Sequence, residues 1–457
     1  MQRIVIKNFG VVKDADIELK KITVLIGEQA SGKSTIAKLV YYFKTLRDDF
    51  LREFHSRIVK KEEKSIDFYR ICKEKFYNLF GSITYLPKFE VYYYTSEERY
   101  ILLTSENKEL QVFFAEKIPM NILLEYTSEK VEWLVNNPKL KRDFAFMLEQ
   151  MNMYDDYSDL LNEVFENKQS YFTYIIAGRN ATVSYSELFE KYLFANVQNK
   201  VLENSKLSYS KKRYNVDEVL MLEFMKQTSF IKEYFEEYGN FDNLIDYNLD
   251  AEDSAKIVLE QINKIIKGKY IIDENGEKII YDNQEDNYVL LSNASSGQQE
   301  VIRILQDIFI NIIEERKVFR VVEEPEAHLF PSAQKQLIEL LTFLMNQNED
   351  NQIIITTHSP YVLTVFNNLI FSKRITDKNP DANNEINEII QKEFWIDSDD
   401  FSAYNLGKTD DSERKAQSII NEKTGLIEQN YLDEVSEKLG NDFQKLYSIH
   451  QKSFSRR

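Results

Sequence analysis

The chain has 457 residues, with 58 Lys and Arg against 75 Asp and Glu, giving a formal net charge of −17. Its 43% hydrophobic and 29% charged content excludes wholesale disorder, and the acidic balance excludes nucleic acid wrapped over the whole surface. A single cysteine, Cys72, excludes a disulfide framework and a cysteine-built metal site, and fits a reducing, cytoplasmic setting.

The opening residues Met1–Gly10 lack the apolar core of a signal peptide. No apolar run reaches the roughly 18 residues of a membrane span, so no membrane partner is expected. Three strand-like apolar runs come first, at Arg3–Phe9, Ala15–Leu19 and Ile22–Ile26, the third continuous as in a buried parallel strand. A helix is expected from Lys33 to about Leu46. Residues 46–285 mix helical periodicity with aromatic strand-like runs such as Phe89–Thr95, and read as a mainly helical insertion with some strands. Within it, Asp217–Tyr238 stops at Gly239, and Ala251–Lys267 stops at Gly268 with Val258, Ile262, Ile265 and Ile266 on one face. Short strands are expected at Tyr270–Ile272, Lys278–Tyr281 and Tyr288–Leu291, the first two joined by a hairpin at Glu274-Asn275-Gly276.

From residue 298 the pattern becomes regular α/β. A helix with Val301, Ile302, Leu305, Ile308, Phe309, Ile312 and Ile313 on one face precedes a strand at Val318–Val322. A helix at Ser332–Met345 and a strand at Ile353–Ile355 follow, an alternation that implies a parallel sheet. Residues 376–390 are polar and rich in Asn, Asp and Pro, and read as a loop. The division expected is an α/β head in two parts, 1–45 and 286–375, split by 46–285 and followed by an extension, 376–457.

Gly27-Glu28-Gln29-Ala30-Ser31-Gly32-Lys33-Ser34 matches the phosphate-loop pattern in full, after a strand and before a helix. Glycines allow a tight turn whose N–H groups face phosphate oxygens, and the helix adds its positive end. Lys33 is expected to reach the β- and γ-phosphates of a nucleotide, and the Ser34 hydroxyl to ligand Mg²⁺. At the end of the next buried strand stand Glu323 and Glu324; Glu323 is assigned to the metal side and Glu324 to the base that activates water. The strand Gln352–Thr357 ends at His358, placed to contact a γ-phosphate oxygen or the attacking water.

Ser292-Asn293-Ala294-Ser295-Ser296-Gly297-Gln298-Gln299-Glu300 precedes a helix, and taken alone is a capping turn. Taken in order with the other parts, GEQASGKST, NASSGQQE, VVEEPEAHLFP and IIITTHSP closely resemble the AAA15/AAA21 group of ABC-type ATPases, related to the OLD and RecF-like proteins. Many members of that group serve in bacterial anti-phage systems. The resemblance implies an ABC-type P-loop ATPase head that holds ATP with Gly27 through Thr35 and uses Lys33, Glu324 and His358 in catalysis. It implies that Ser296 and Gly297 contact the nucleotide of the other protomer, so that the chain works as a head-to-tail dimer or higher oligomer, and Gln299 is counted among the nucleotide-binding residues. Ala327-His328-Leu329 would be the crossing loop between the two sites, and Tyr174–Asn180 resembles a short Arg-bearing element of the family. The sequence departs from the family at Gln29, where Asn is frequent, and at Glu323, where a shorter Asp is usual.

The function this implies is an ATP-driven sensor or motor controlling a separately encoded effector such as a nuclease or toxin, in anti-phage defence. A second reading is a RecF- or SMC-type DNA-binding ATPase, with Lys60-Lys61 and Lys211-Lys212-Arg213 as local basic clusters. Glu393, Asp397 and Asp399 offer an acidic group near the end, but too little chain follows for a nuclease domain. The long separation of Ser34 from Ser296 excludes a compact transporter motor.

Overall fold

The computed structural model describes residues 2–60, 66–136, 144–166, 169–184, 216–247, 252–282, 284, 286–407, 415–428 and 431–454. Its strands, in chain order, are β1 (Gln2–Phe9), β2 (Val12–Leu19), β3 (Ile22–Ile26), β4 (Glu90–Tyr94), β5 (Tyr100–Glu106), β6 (Glu109–Phe114) and β7 (Tyr171–Ile175). They continue with β8 (Lys269–Asp273), β9 (Gly276–Ile280), β10 (Tyr288–Leu290), β11 (Val318–Glu323), β12 (Gln352–Thr357), β13 (Phe401–Asn405) and β14 (Gln417–Ser418). Three sheets result. The first is antiparallel, in the order β2-β1-β4-β5-β6, and a small one runs β10-β9-β8.

The third sheet, β14-β13-β3-β12-β11-β7, is parallel from β13 to β7, with β14 antiparallel at its edge. Every residue of β3, β11 and β12 is buried, as their continuous apolar runs require in a sheet covered on both faces. Register aligns their carboxyl ends: Ile26 lies opposite Thr357, and Glu323 opposite Thr356. That edge is where α/β sheets place ligands. The fold is therefore α/β, a mixed, largely parallel sheet flanked by helices.

The sheets cross the boundaries drawn from the sequence. Strands β4 to β7 come from 46–285, yet β4 pairs with β1 and β7 with β11. Strand β13 comes from 376–457 and pairs with β3, while Tyr404 accepts a 2.9 Å hydrogen bond from the Glu18 N–H of β2. A short strand shows its alternation locally but not its partner, which is remote in sequence.

The α-helices of seven residues or more are α1 (Lys33–Lys60), α2 (Phe68–Phe80), α3 (Met120–Asn136), α4 (Phe144–Phe165), α5 (Val216–Tyr238), α6 (Phe241–Tyr247) and α7 (Glu252–Ile266). Then come α8 (Ser296–Ile313), α9 (Pro331–Asn346), α10 (Pro360–Lys378), α11 (Asn383–Ile389) and α12 (Tyr431–Phe454). Helix α1 runs well past Leu46 because no Gly or Pro interrupts the sequence before Gly81. Asp67 then caps α2, accepting from the Arg70 N–H at 2.9 Å. Residues 376–390, expected as a loop, are largely helical: α10 reaches Lys378, and α11 forms because Ile386 is buried against the core. Asp397 and Asp399 precede β13, and Asp397 accepts from the Asp399 N–H as a turn cap.

Lys61 and Lys211-Lys212-Arg213 lie outside the described residues, and Lys60 is the last residue of α1. Among the described residues no helix is long and apolar enough to cross a membrane.

Candidate nucleotide site at the sheet end

The phosphate loop leaves β3 and enters α1 through three residues at positive φ: Gly27 at 155°, Ala30 at 61° and Gly32 at 107°. Gly32 has a second reason to be glycine, because a Cβ there would lie 2.6 Å from Cγ2 of Val12 in the neighbouring hairpin. Gln29 and Ala30 are exposed at the tip, Glu28 is half-buried, and Ser34 and Thr35 are half-buried on the first turn of α1. The Lys33 ammonium donates to the carbonyls of Gly27 at 2.9 Å and Glu28 at 2.8 Å. Burial lowers its pKa to about 8, although Glu324, Glu326 and Glu323 all pull it upward. Among the described residues, the buried Ser31 Oγ has no hydrogen-bond partner. A buried ammonium and an unsatisfied hydroxyl at a helix start fit a chain of phosphates, which would supply acceptors to both.

Across the sheet end, Glu324 and His358 meet: Nε2 of His358 lies 3.2 Å from Oε1 of Glu324. Glu324 is at φ 44°, its N–H bonded to the Thr356 carbonyl at 2.8 Å. This turn sends the Glu324 side chain towards the end of β12, and the His358 hydrogen bond holds its carboxyl below the usual range. Glu323 turns the other way and is buried. Its Oε1 accepts from the Tyr174 hydroxyl at 2.7 Å, and its Oε2 from the Ala177 N–H at 3.2 Å. Two of its lone-pair directions are thus taken by donors from the β7 side, so it suits the water shell of a metal better than direct ligation.

Ser295 caps α8 in a capping box with Gln298, which leaves Ser296 exposed on the first turn. Gly297 touches the crossing loop, for a Cβ there would lie 2.6 Å from the His328 carbonyl oxygen. Gln299, expected among the nucleotide contacts, is instead buried. Its Nε2 donates to the carbonyls of Leu291 (3.1 Å), Ser292 (2.9 Å) and Ala294 (3.2 Å) in the short turn before α8, where Leu291 also accepts from the Ala294 N–H.

Two residues that sequence reasoning left without a role are central here. Glu326 Oε1 accepts from the Thr357 hydroxyl at 2.6 Å and the His358 N–H at 2.8 Å, fastening the end of β12. Its position as the third acid of Glu323-Glu324-Pro325-Glu326 was the available signal. Arg179, in the Arg-bearing element after β7, is fully buried against the backbone of Glu323 and Glu324.

A phosphate loop opening a helix, with paired acids and an imidazole ending two neighbouring parallel strands, defines a P-loop ATPase head. The chain belongs to the AAA ATPase domain family (AAA_15), whose family model matches residues 1–363, and it is a nucleotide-binding, ATP-hydrolysing enzyme. Among solved structures it is similar to an SMC head bound to the C-winged helix domain of ScpA, with 13% identity and a TM-score of 0.38 over 92% of this chain and 98% of that one. The SMC head domain from Thermotoga maritima matches at 11% identity and TM-score 0.34, over 79% of this chain and 90% of that one. The recombination mediator protein RecF-ATPrS matches at 12% identity and TM-score 0.32, covering 91% and 97%. No curated protein matches significantly.

Proposed function

We propose that the chain is an ABC-type, dimer-forming ATPase that acts in the cytoplasm as a sensor or motor for a separately encoded effector in anti-phage defence. The observation that carries the shared site is the placement of Ser296. It is exposed at the start of α8, while Lys33, Glu324 and His358 converge at the sheet end. Support for the anti-phage role is the likeness of the four motifs to the AAA15/AAA21 group.

In this reading Lys33 leaves the Gly27 and Glu28 carbonyls for the β- and γ-phosphate oxygens, and Ser31 donates to the same chain. Ser34, and Glu323 through water, would hold Mg²⁺, which would supply positive charge to the phosphate oxygens. Glu324 takes a proton from water as its oxygen attacks the γ-phosphorus and the bond to the bridging oxygen breaks. His358 keeps the Glu324 carboxylate aimed and ionised. Ser296 and Gly297 close the site on the partner's nucleotide, and hydrolysis reopens the pair.

Mixing two inactive variants tests the shared site. Lys33→Ala lacks the phosphate contact, and Ser296→Arg blocks the contact to the partner. In an equal mixture, half the dimers are mixed and each has one intact site, so about a quarter of wild-type ATPase activity should return. No recovery, in a mixture shown to exchange subunits, would refute the shared site.

A further inference from the structure

Helix α8 carries Ser296 and Gly297 on its first turn and buries Glu300 on the next. Arg179 lies against Glu300 with no exposed surface. Its main-chain N–H donates to Glu300 Oε2 at 3.1 Å, and its Nε lies 3.3 Å from both that oxygen and the Glu300 carbonyl. The other end of the guanidinium grips the end of β11. Nη1 donates to the Glu323 carbonyl at 2.7 Å and the Ile176 carbonyl at 3.0 Å, and Nη2 to the Glu324 carbonyl at 3.1 Å. One planar side chain therefore spans from α8 to two successive peptide groups, a reach that a single ammonium does not duplicate.

The peptide groups it holds matter because Glu324 is at φ 44°, a conformation that persists in a non-glycine residue only where surroundings enforce it. Its N–H is fixed by Thr356, and its carbonyl accepts from both the Ala327 N–H at 3.0 Å and Arg179 Nη2 at 3.1 Å. We propose that Arg179 is a positioning residue for hydrolysis, fixing the backbone of Glu323 and Glu324 to α8 so that a shift of Ser296 and Gly297 is carried to the Glu324 carboxylate. The Tyr174–Asn180 element then has a purpose: its Tyr174 holds the Glu323 side chain, and its Arg179 holds the main chain beside it.

The proposal rests on Glu324 being the base, so the test includes Glu324→Gln. For the full-length chain and for Arg179→Lys, Glu300→Gln and the double variant, kcat is measured by phosphate release and affinity with a fluorescent ATP analogue. Arg179→Lys should lower kcat by about tenfold or more while affinity stays within about threefold, since misplacement of a reacting group weakens turnover before binding. Glu300→Gln should lower kcat with affinity kept, and the double variant should be no worse than Arg179→Lys, as expected of two parts of one clamp. Wild-type kcat in Arg179→Lys beside an inactive Glu324→Gln overturns the role of Arg179 alone. Parallel loss of kcat and binding overturns it too, as the mark of a merely structural residue. Wild-type kcat in Glu324→Gln overturns the base assignment and this proposal with it. Should Arg179→Lys fail to fold, Glu300→Gln decides by the same split: lower kcat with affinity kept supports the clamp, and any other result overturns it.

Discussion

Nε2 of His358 lies 3.2 Å from Oε1 of Glu324, so the ends of two neighbouring parallel strands are joined by the two side chains most suited to proton transfer. The contact is open to solvent on one side, with His358 34% and Glu324 41% exposed, which leaves room for a reacting water.

The pH dependence follows from that pair. The His358 hydrogen bond is the largest influence on Glu324 and lowers its pKa, against burial that raises it. A depressed carboxyl pKa contributes stability above the unfolded value of about 4.3 and loses it as pH falls through the folded value. His358→Ala removes the largest cause, so the acid limb of the kcat/KM profile should move to higher pH. A pH–rate profile whose acid limb stays in place in His358→Ala would sink the pairing as the cause. In Glu324→Gln, kcat should fall by about 10²–10⁴ with ATP affinity retained, as for loss of a general base.

Lys33 gives a second signature. Burial lowers its folded pKa to about 8, whereas the unfolded chain titrates near its ordinary value of 10.5. Between those values the unfolded state binds the extra proton, so this group's contribution to stability rises with pH across that window. Nucleotide phosphates favour the charged ammonium, so ATP binding near pH 8 and above should draw in a proton, with little uptake at pH about 6. Calorimetry of ATP binding in two buffers of different ionisation enthalpy measures this. Equal heats at the higher pH would contradict the buried, partly discharged Lys33.

The parts that were legible in the sequence are those whose chemistry is contiguous. The phosphate loop, Glu323-Glu324 and His358 each stand where a buried strand ends, so the run of residue types announces both the strand and its candidate site. Arg179 was not legible because its partners are mostly backbone carbonyls, which any residue supplies. Gln299 was expected at the nucleotide, whereas its amide turns inward to the carbonyls of Leu291, Ser292 and Ala294, partners that any residues supply. Strand β13 looked like part of an appended tail because only its remote partner, β3, makes it part of the head sheet. The length of α1 was available from the absence of Gly and Pro between Lys33 and Gly81, a signal that an end near Leu46 did not use.

Gly297 should be intolerant of even one added methyl group. A Cβ at this position would lie 2.6 Å from the His328 carbonyl oxygen and 3.4 Å from its carbon, so backbone rather than a flexible side chain must move. Gly297→Ala is expected to cost about 1–3 kcal/mol of stability, in the range for overpacking, and to lower ATPase activity by displacing Ala327–Leu329. Gly440→Ala, at an exposed position with nothing within 4 Å of the added Cβ, is the matched control and should leave both unchanged or slightly improved. Equal melting temperatures for Gly297→Ala and wild type would contradict the contact.

Arg320 and Asp307 form another buried ion pair on α8, and its energetics should be asymmetric. Nε of Arg320 lies 2.7 Å from Oδ2 of Asp307 and Nη2 lies 3.1 Å from Oδ1, with both residues almost wholly buried. Asn311 and Gln227 also donate to Oδ1, at 3.0 and 3.2 Å, but as neutral amides they do not replace the charge that Arg320 supplies. Arg320→Met leaves a buried carboxylate without its counter-charge and should lose roughly 3–5 kcal/mol, read from the midpoint of urea denaturation. Adding Asp307→Leu removes that orphaned charge and should recover most of the loss, because a hydrophobic pair of similar volume is often neutral relative to a buried ion pair. A double variant less stable than Arg320→Met would show that Asp307 stabilises the fold through Asn311 and Gln227 rather than through Arg320.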